Sequence, residues 1–398
     1  MKKSTPSINR RDFFKKCGLS SIPVLLPSVN LNTKPYFKPE NQSKPIVNFI
    51  SDGLFFSPQE YLEKLNKINA TDPIEMDFYG NSGSTKELEE AFSKITGKEK
   101  AIYLPTGTMA NQLAISMLNG ENTKIIVPEN SHIYRDEADA AQSVHNKRLI
   151  PLGAGKVHFD LSDLISGIDY LNESEVFKSG LGTIAIENPV RRADGAVVPI
   201  ETIEAISNHC KENGYKMHLD GARIHLASAY TNISLAKYAS YFDTIYISLY
   251  KYLNANGGAI LCGNAKFIDQ LVHQIKIHGG TVYQNWNNTA MALHYLKGIE
   301  QRWDKVIQQA TQLISKLNKI NGVNISSINN GTNIYNLKLG NEISLKELAN
   351  HLSKEYNIWV GRADKEKNVK FIVNESLLRR DNKELIEAWK MSVKEVLK

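Results

Sequence analysis

Between residues 100 and 265, short apolar runs of strand length alternate with longer stretches whose apolar residues recur at helical spacing. Residues 101–104, 124–128, 183–187, 215–220 and 245–250 read as buried strands. Residues 200–213 and 235–241, with apolar positions three and four apart, read as helices between them. This alternation predicts a mainly parallel sheet covered by helices on both faces. Ahead of it, residues 46–50 read as a short strand, 58–69 and 86–96 as helices, and 31–47 as a linker. After Gly280 the pattern changes. A long helical stretch (289–317) is followed by strands near Val323 and Ile334, a helix at 344–356, a strand near Phe371 and a closing helix at 382–397. The expectation is an α/β protein with a large domain at 48–288 and a smaller α+β domain at 289–398.

Two strand ends carry the chemistry. The run Ile245-Tyr-Ile-Ser-Leu-Tyr-Lys251 places a lysine just past a buried strand, and an Asn/Gly loop and a second apolar strand follow. Burial disfavours a lysine's charge, which suits an amine that must act as a nucleophile toward an aldehyde. Upstream, Lys216-Met-His-Leu-Asp220-Gly-Ala-Arg223 ends another strand in an acid. Both side chains then fall at the carboxyl edge of the sheet, where open α/β folds bind ligands. Pyridoxal phosphate needs this pair: a lysine for its aldehyde, and a carboxylate to keep its ring nitrogen protonated as an electron sink. A Thr-Gly-Thr turn at 106–108, between a strand and a helix start, offers backbone N–H groups to an anion. By geometry, Ser248, three residues before Lys251, is a further phosphate candidate.

Composition changes this picture little. The 398 residues are 42% apolar and 23% charged, as in an ordinary globular protein, and no run reaches the length of a membrane span. The net charge of +6 suggests an acidic partner until it is located: residues 1–30 hold six cations against one anion, Asp12. The remainder is nearly neutral, which removes the case for nucleic acid. In that leader, Asn9-Arg10-Arg11-Asp12-Phe13-Phe14-Lys15 and the weakly apolar stretch behind it resemble a twin-arginine export signal. Export by that machinery, to a periplasmic or other exterior location, is the expectation. The chain is cytoplasmic if the leader is not used. Three cysteines without a CxxC or His/Cys cluster give no metal site.

With Tyr79-Gly80, Leu-Pro-Thr-Gly-Thr-Met-Ala-Asn111, Ser-His132-Ile-Tyr, His-Leu-Asp220-Gly-Ala-Arg223 and the Lys251 strand in view, residues 51–280 resemble the pyridoxal-phosphate L-threonine aldolases and related β-eliminating lyases of aminotransferase-like fold type I. The resemblance implies that Lys251 holds the cofactor covalently, Asp220 binds its ring nitrogen and His132 stacks on its face. Gly107, Thr108 and Lys276 would hold the phosphate. Arg223 would meet the cofactor's phenolic oxygen and the substrate carboxylate, with Ser51 helping to bind the latter. The implied activity is cleavage of the Cα–Cβ bond of a β-hydroxy amino acid to glycine and an aldehyde. The implied assembly is a homodimer or homotetramer in which Tyr79 reaches the neighbour's cofactor. The alternatives are β-elimination, racemisation, transamination, or an exported binding protein without turnover.

The chain departs from the family pattern in three places. Pro189-Val190 stands where threonine aldolases carry Thr-His, and Val190 would leave the substrate hydroxyl unread. Val282-Tyr283-Gln284 lacks the family's phosphate arginine. For the small-domain carboxylate arginine, Lys370 is nearest by position.

Overall fold

A computed structural model describes residues 44–364 and 368–397. The leader and most of the 31–47 linker lie outside the described residues.

The chain enters on a two-residue strand β1 (Val47–Asn48). The large sheet is built from β2 (Lys100–Leu104), β3 (Lys124–Pro128), β4 (Arg148–Leu152), β5 (Leu181–Glu187), β6 (Lys216–Asp220), β7 (Thr244–Ser248) and β8 (Ala259–Gly263), in the order β2-β8-β7-β6-β5-β3-β4. β3 through β7 run parallel, and β8 lies antiparallel to both β7 and β2. The reversal at β8 has a plain cause. The connection over residues 249–258 is too short for the crossover that a parallel neighbour needs. Every residue of β3, β7 and β8 is buried, as expected of strands covered on both faces.

Strand β4 and the helices Leu161–Ser174 and Ala265–Ile277 were not foreseen. β4 contains Pro151, a residue that argues against a strand, but β4 pairs with β3 alone and so sits at the sheet's edge, where proline is tolerated. The helix at 161–174 is announced by a capping box between Asp160 and Asp163.

The long helical stretch is two helices, Trp286–Leu296 and Ile299–Leu317, separated at Gly298 with φ +69°. The first packs on the helices Gly83–Thr96 and Pro58–Thr71 of the large sheet, and the 288/289 boundary falls inside it. The C-terminal layer holds the antiparallel strands β9 (Val323–Ser327), β10 (Ile334–Leu339) and β12 (Val369–Ile372) with helices Leu345–Tyr356 and Asn382–Val396. β1 pairs in parallel with β11 (Ile358–Trp359), and Phe49 stacks on Phe371 with ring centroids 4.0 Å apart. The segment that precedes the large sheet in sequence is therefore built into the C-terminal layer. One continuous buried cluster runs from Ile184 and Leu219 to Trp303, Phe371 and Trp389, so the two layers share a core. Each such large apolar side chain contributes roughly 1.5–3 kcal/mol on burial. Among the described residues no helix is long and apolar enough to cross a membrane.

Candidate active site

The carboxyl ends of β2, β3, β5, β6 and β7 open on one cavity of about 410 Å³. Gly107 and Thr108 reach it from the turn after β2, His132 from the turn after β3, and Glu187 from the end of β5. Asp220 comes from the end of β6, Arg223 from the turn after it, and Lys251 from beyond β7. In the turn after β2, Thr106 caps the helix Gly107–Asn119 by accepting from the Met109 N–H. The amides of Gly107 and Thr108 then stand in a first turn that has no acceptors of its own. A Cβ on Gly107 would lie 1.9 Å from the Tyr246 hydroxyl, so only glycine lets the tyrosine and the turn approach this closely.

Lys251 is 8% exposed. Its pKa is lowered to about 8, chiefly by burial and then by the nearby Arg223 charge, against the pull of Asp220, Asp52 and Glu187. A useful fraction of the amine is therefore unprotonated near neutrality. Asp220, which lines the same cavity, accepts from the Asn111 side-chain amide (2.9 Å) and the Ala222 N–H (3.1 Å). Asn111 is a hub: it also donates to Glu137 (2.8 Å), and its Oδ1 lies 3.0 Å from His218 Nε2. Burial lowers the His218 pKa to about 4, so the ring is neutral. Its Nε2 carries the proton toward Asn111, while Nδ1 accepts from Thr244 at 2.8 Å.

His132 Nδ1 lies 3.0 Å from Glu137, which Gln112 also holds. Burial alone would lower the His132 pKa, but the Glu137 hydrogen bond and the charges of Asp220 and Glu187 raise it above its ordinary value. Arg223 makes a two-point contact with Asp52 (3.0 and 2.8 Å), and the fully buried Tyr252 donates to the same carboxylate at 2.6 Å. Burial works against the Arg223 charge, yet Asp52 more than compensates and raises its pKa. Desolvation likewise works to raise the Asp52 pKa, but Arg223 and Tyr252 hold it below the usual carboxylate value.

Of the residues singled out from sequence, Lys251, Asp220, His132, Gly107, Thr108 and Arg223 line this cavity. The others stand elsewhere. Ser51 is not in the cavity wall; its hydroxyl donates to Asn48 Oδ1 at 2.8 Å, and the next residue, Asp52, is the one joined to Arg223. The Ser248 hydroxyl is buried, lies beside the Tyr246 hydroxyl and does not line the cavity. Lys276 lies on the exposed side of the helix Ala265–Ile277, 5.9 Å from the ring of Tyr79, which is itself exposed. Val190 is fully buried in the shared core and does not face the cavity, so substrate bulk gains nothing from it. Lys370 pairs with Asp194 on an exposed edge rather than with the cavity.

Sequence reasoning passed over Asn111, Glu137, Glu187 and Tyr252. Glu137 follows His132 by five residues, and Glu187 ends a strand as Asp220 does. Those positions were the available signal.

The model of the beta-eliminating lyase family matches residues 61–339, most of the chain. The chain belongs to the beta-eliminating lyase family. This family member is 32% identical over 218 residues to the low-specificity L-threonine aldolase of Candida albicans, covering 54% of this chain and 58% of that protein. The chain thus spans a little over half the length of that curated relative. It is 30% identical over 274 residues to a low-specificity L-threonine aldolase described as probable in Schizosaccharomyces pombe, covering 69% of each. Among solved structures, one described provisionally as an L-allo-threonine aldolase from Listeria monocytogenes superposes with a TM-score of 0.72 at 23% identity, covering 89% of this chain and 97% of that one. At that identity the likeness concerns the fold.

The family member's cavity suits pyridoxal phosphate by its donor set. It has a depressed amine at one wall, a hydrogen-bonded carboxylate at another, and a glycine turn with first-turn amides for a phosphate.

Proposed function

We propose that this protein binds pyridoxal phosphate and cleaves the Cα–Cβ bond of a β-hydroxy amino acid, giving glycine and an aldehyde. The observation that carries the reading is the placement of Lys251 and Asp220 at the carboxyl edge of one sheet, past the ends of the neighbouring strands β7 and β6, in the cavity that the Gly107–Thr108 turn also lines. The cofactor, when bound, supplies an electron sink for the pair left at Cα. Lys251 supplies the amine that anchors it, and a pKa near 8 keeps that amine available. Asp220, fixed by Asn111 and the Ala222 amide, is the carboxyl group that would bind the cofactor's ring nitrogen. Arg223, held in one orientation by Asp52, offers a fixed cation for a carboxylate. His132 is oriented by Glu137 and is placed to hold or exchange a proton at Nε2.

Incubating the purified protein with threonine, its Cβ epimer and larger β-hydroxy amino acids, then measuring glycine and aldehyde together, tests the reading. Equimolar glycine and aldehyde are expected. Ammonia with a 2-oxo acid that has lost the β-hydroxyl (2-oxobutanoate from threonine), the Cα epimer, or a 3-hydroxy-2-oxo acid formed without free ammonia would move the assignment to β-elimination, racemisation or transamination respectively.

We also infer a homo-oligomer, dimer or tetramer. Met76, Phe78, Tyr79, Val282 and Tyr283 are all exposed, and Tyr283 meets Phe78 and Tyr79 edge-on at 5.7 and 5.3 Å. An aromatic patch of this kind is characteristic of a surface that a second copy covers. Export by the twin-arginine route is proposed from the Asn9–Lys15 motif with its Arg10-Arg11 pair and the weakly apolar stretch behind it. A shift of the folded protein to the exterior fraction that is lost in an Arg10→Lys, Arg11→Lys variant tests it.

A further inference from the structure

Glu187 lies at the end of β5, directly beside Asp220 in the strand register. It is 4% exposed and lines the cavity. Its hydrogen bonding differs from that of the other described acids in the cavity wall. Glu137 is held by Asn111, Gln112 and His132, and Asp220 by Asn111 and one amide. Glu187 instead accepts only from the backbone: Oε2 from the His132 N–H at 2.6 Å and Oε1 from the Arg191 N–H at 2.7 Å. One donor opens the helical turn His132–Arg135 after β3. The other opens the 3₁₀ turn Arg191–Ala193 after β5. Glu187 thus ties the two turns from the buried side through both carboxylate oxygens, while Asp136, at the end of the first turn, pairs with Arg191 and Arg192 of the second on the more exposed side.

We propose that Glu187 is a positioning residue for His132, stapling these two turns through both carboxylate oxygens, and that the staple is complete only while the carboxylate is ionised. Two acceptors are required because both partners are N–H donors. An amide cannot replace the acid: whichever way it turns, its NH2 meets one of the two N–H groups. A proton on either oxygen converts that oxygen to a hydroxyl, a weaker acceptor, and loosens one of the two ties. Charge-assisted bonds to backbone N–H are about twice as strong as neutral ones, so the loss is felt by the turn that carries His132.

Ionisation falls in a usable range. Burial, followed by the charge of Asp220, pushes the Glu187 pKa up to about 7, against the two backbone bonds and the charge of His132. The other charged groups that feel it are Lys251, Arg223 and Arg192. As pH falls through 7, Glu187 takes up a proton, and the charge of His132, whose own pKa is raised, opposes that uptake.

The test is backbone amide exchange of the purified full-length protein between pH 6 and 8.5, corrected for intrinsic rates, on peptides spanning 129–136 and 188–195. In the wild type, protection of both peptides should rise together as pH passes 7. Glu187→Gln should exchange about tenfold faster at both and lose the pH step. In the kinetic arm, which rests on the proposed lyase reading, Glu187→Gln should lower kcat at least tenfold with KM within about threefold. Wild-type exchange in Glu187→Gln overturns the staple. Altered exchange with unchanged kcat and an unchanged pH profile overturns the positioning role. Should the variant fail to fold, absence of a coordinated pH step in the wild type alone overturns the proposal. The exchange arm stands whether or not a β-hydroxy amino acid is cleaved.

Discussion

Asp52 shows how far a single side chain reaches in this site. It holds Arg223 at two points, accepts from the buried Tyr252, and raises the Lys251 pKa against the effect of burial. The pair is half-buried, with the Asp52 side chain 31% exposed, so removing Asp52 leaves Arg223 partly uncompensated at a cost of about 1.5–3 kcal/mol. Asp52→Asn is therefore expected to lower the melting temperature by several degrees and raise KM for the amino acid at least tenfold. It should also shift Lys251 further below 8. Because the nucleophile is the free amine, cofactor loading of the wild-type apo-protein should accelerate as pH rises through about 8, with an earlier midpoint in Asp52→Asn. Stopped-flow absorbance at a series of pH values checks both. Val190 makes the opposite point. A histidine at that position would bury an imidazole in an apolar core without a partner, at a cost of about 1–3 kcal/mol. Val190→His should lower the melting temperature and leave the preference between threonine epimers unchanged, a result read by calorimetry and by kcat/KM for each epimer. Away from the site, burial raises the Glu89 pKa to about 7, which only partly yields to the bond from the Tyr103 amide. A carboxyl raised in the folded state contributes stability below its unfolded pKa of about 4.3 and loses it as pH rises through 7. Glu89→Gln should accordingly raise the melting temperature more at pH 8 than at pH 5.

At the level of elements, the placement of chemistry followed from strand ends. Lys251 and Asp220 could be assigned to one sheet edge because apolar runs of strand length stop immediately before them, and parallel strands end on the same side. The partners that orient them could not be placed in the same way. Asn111 meets Asp220 across 109 positions of sequence, and Asp52 meets Arg223 across 171. Nothing in local periodicity encodes such contacts. Ser51 and Asp52 illustrate the limit: adjacent residues in one turn, of which only the second points at Arg223. Val190 failed for a related reason. It was placed by a motif match, whereas the bridge between Val190 and Ala196 turns its side chain into the core. β4 went unread because proline suppresses the strand signal in general, although an edge strand accepts it. The turn at Gly107 gives an element-scale prediction. Gly107→Ala forces either Tyr246 or the helix start to shift, because a Cβ would stand 1.9 Å from the hydroxyl. A loss of cofactor affinity of at least tenfold is expected in an equilibrium titration, with the far-UV spectrum retained.

Across the whole molecule, the C-terminal layer is not an independent appendage. β1 completes it from the other end of the chain, and Thr332 and Asn330 bind the loop after β5 at Gly195 and Val197. That loop also carries Arg191 and so leads back to Glu187 and His132. The helical and strand patterns at each end were visible in sequence, but their union was not, since a two-residue strand has no period to read. Placing a charge in the exposed aromatic patch, as in Tyr283→Asp, should shift sedimentation toward the monomer. The central claim is that Lys251 is the amine which holds the cofactor. Its most direct test is borohydride reduction of the purified, cofactor-loaded protein followed by peptide mapping. The phosphopyridoxyl mass should be found on the peptide containing Lys251 and be absent from Lys251→Ala. The label on another lysine, or a Lys251→Ala protein that is still labelled to the same extent, would contradict it.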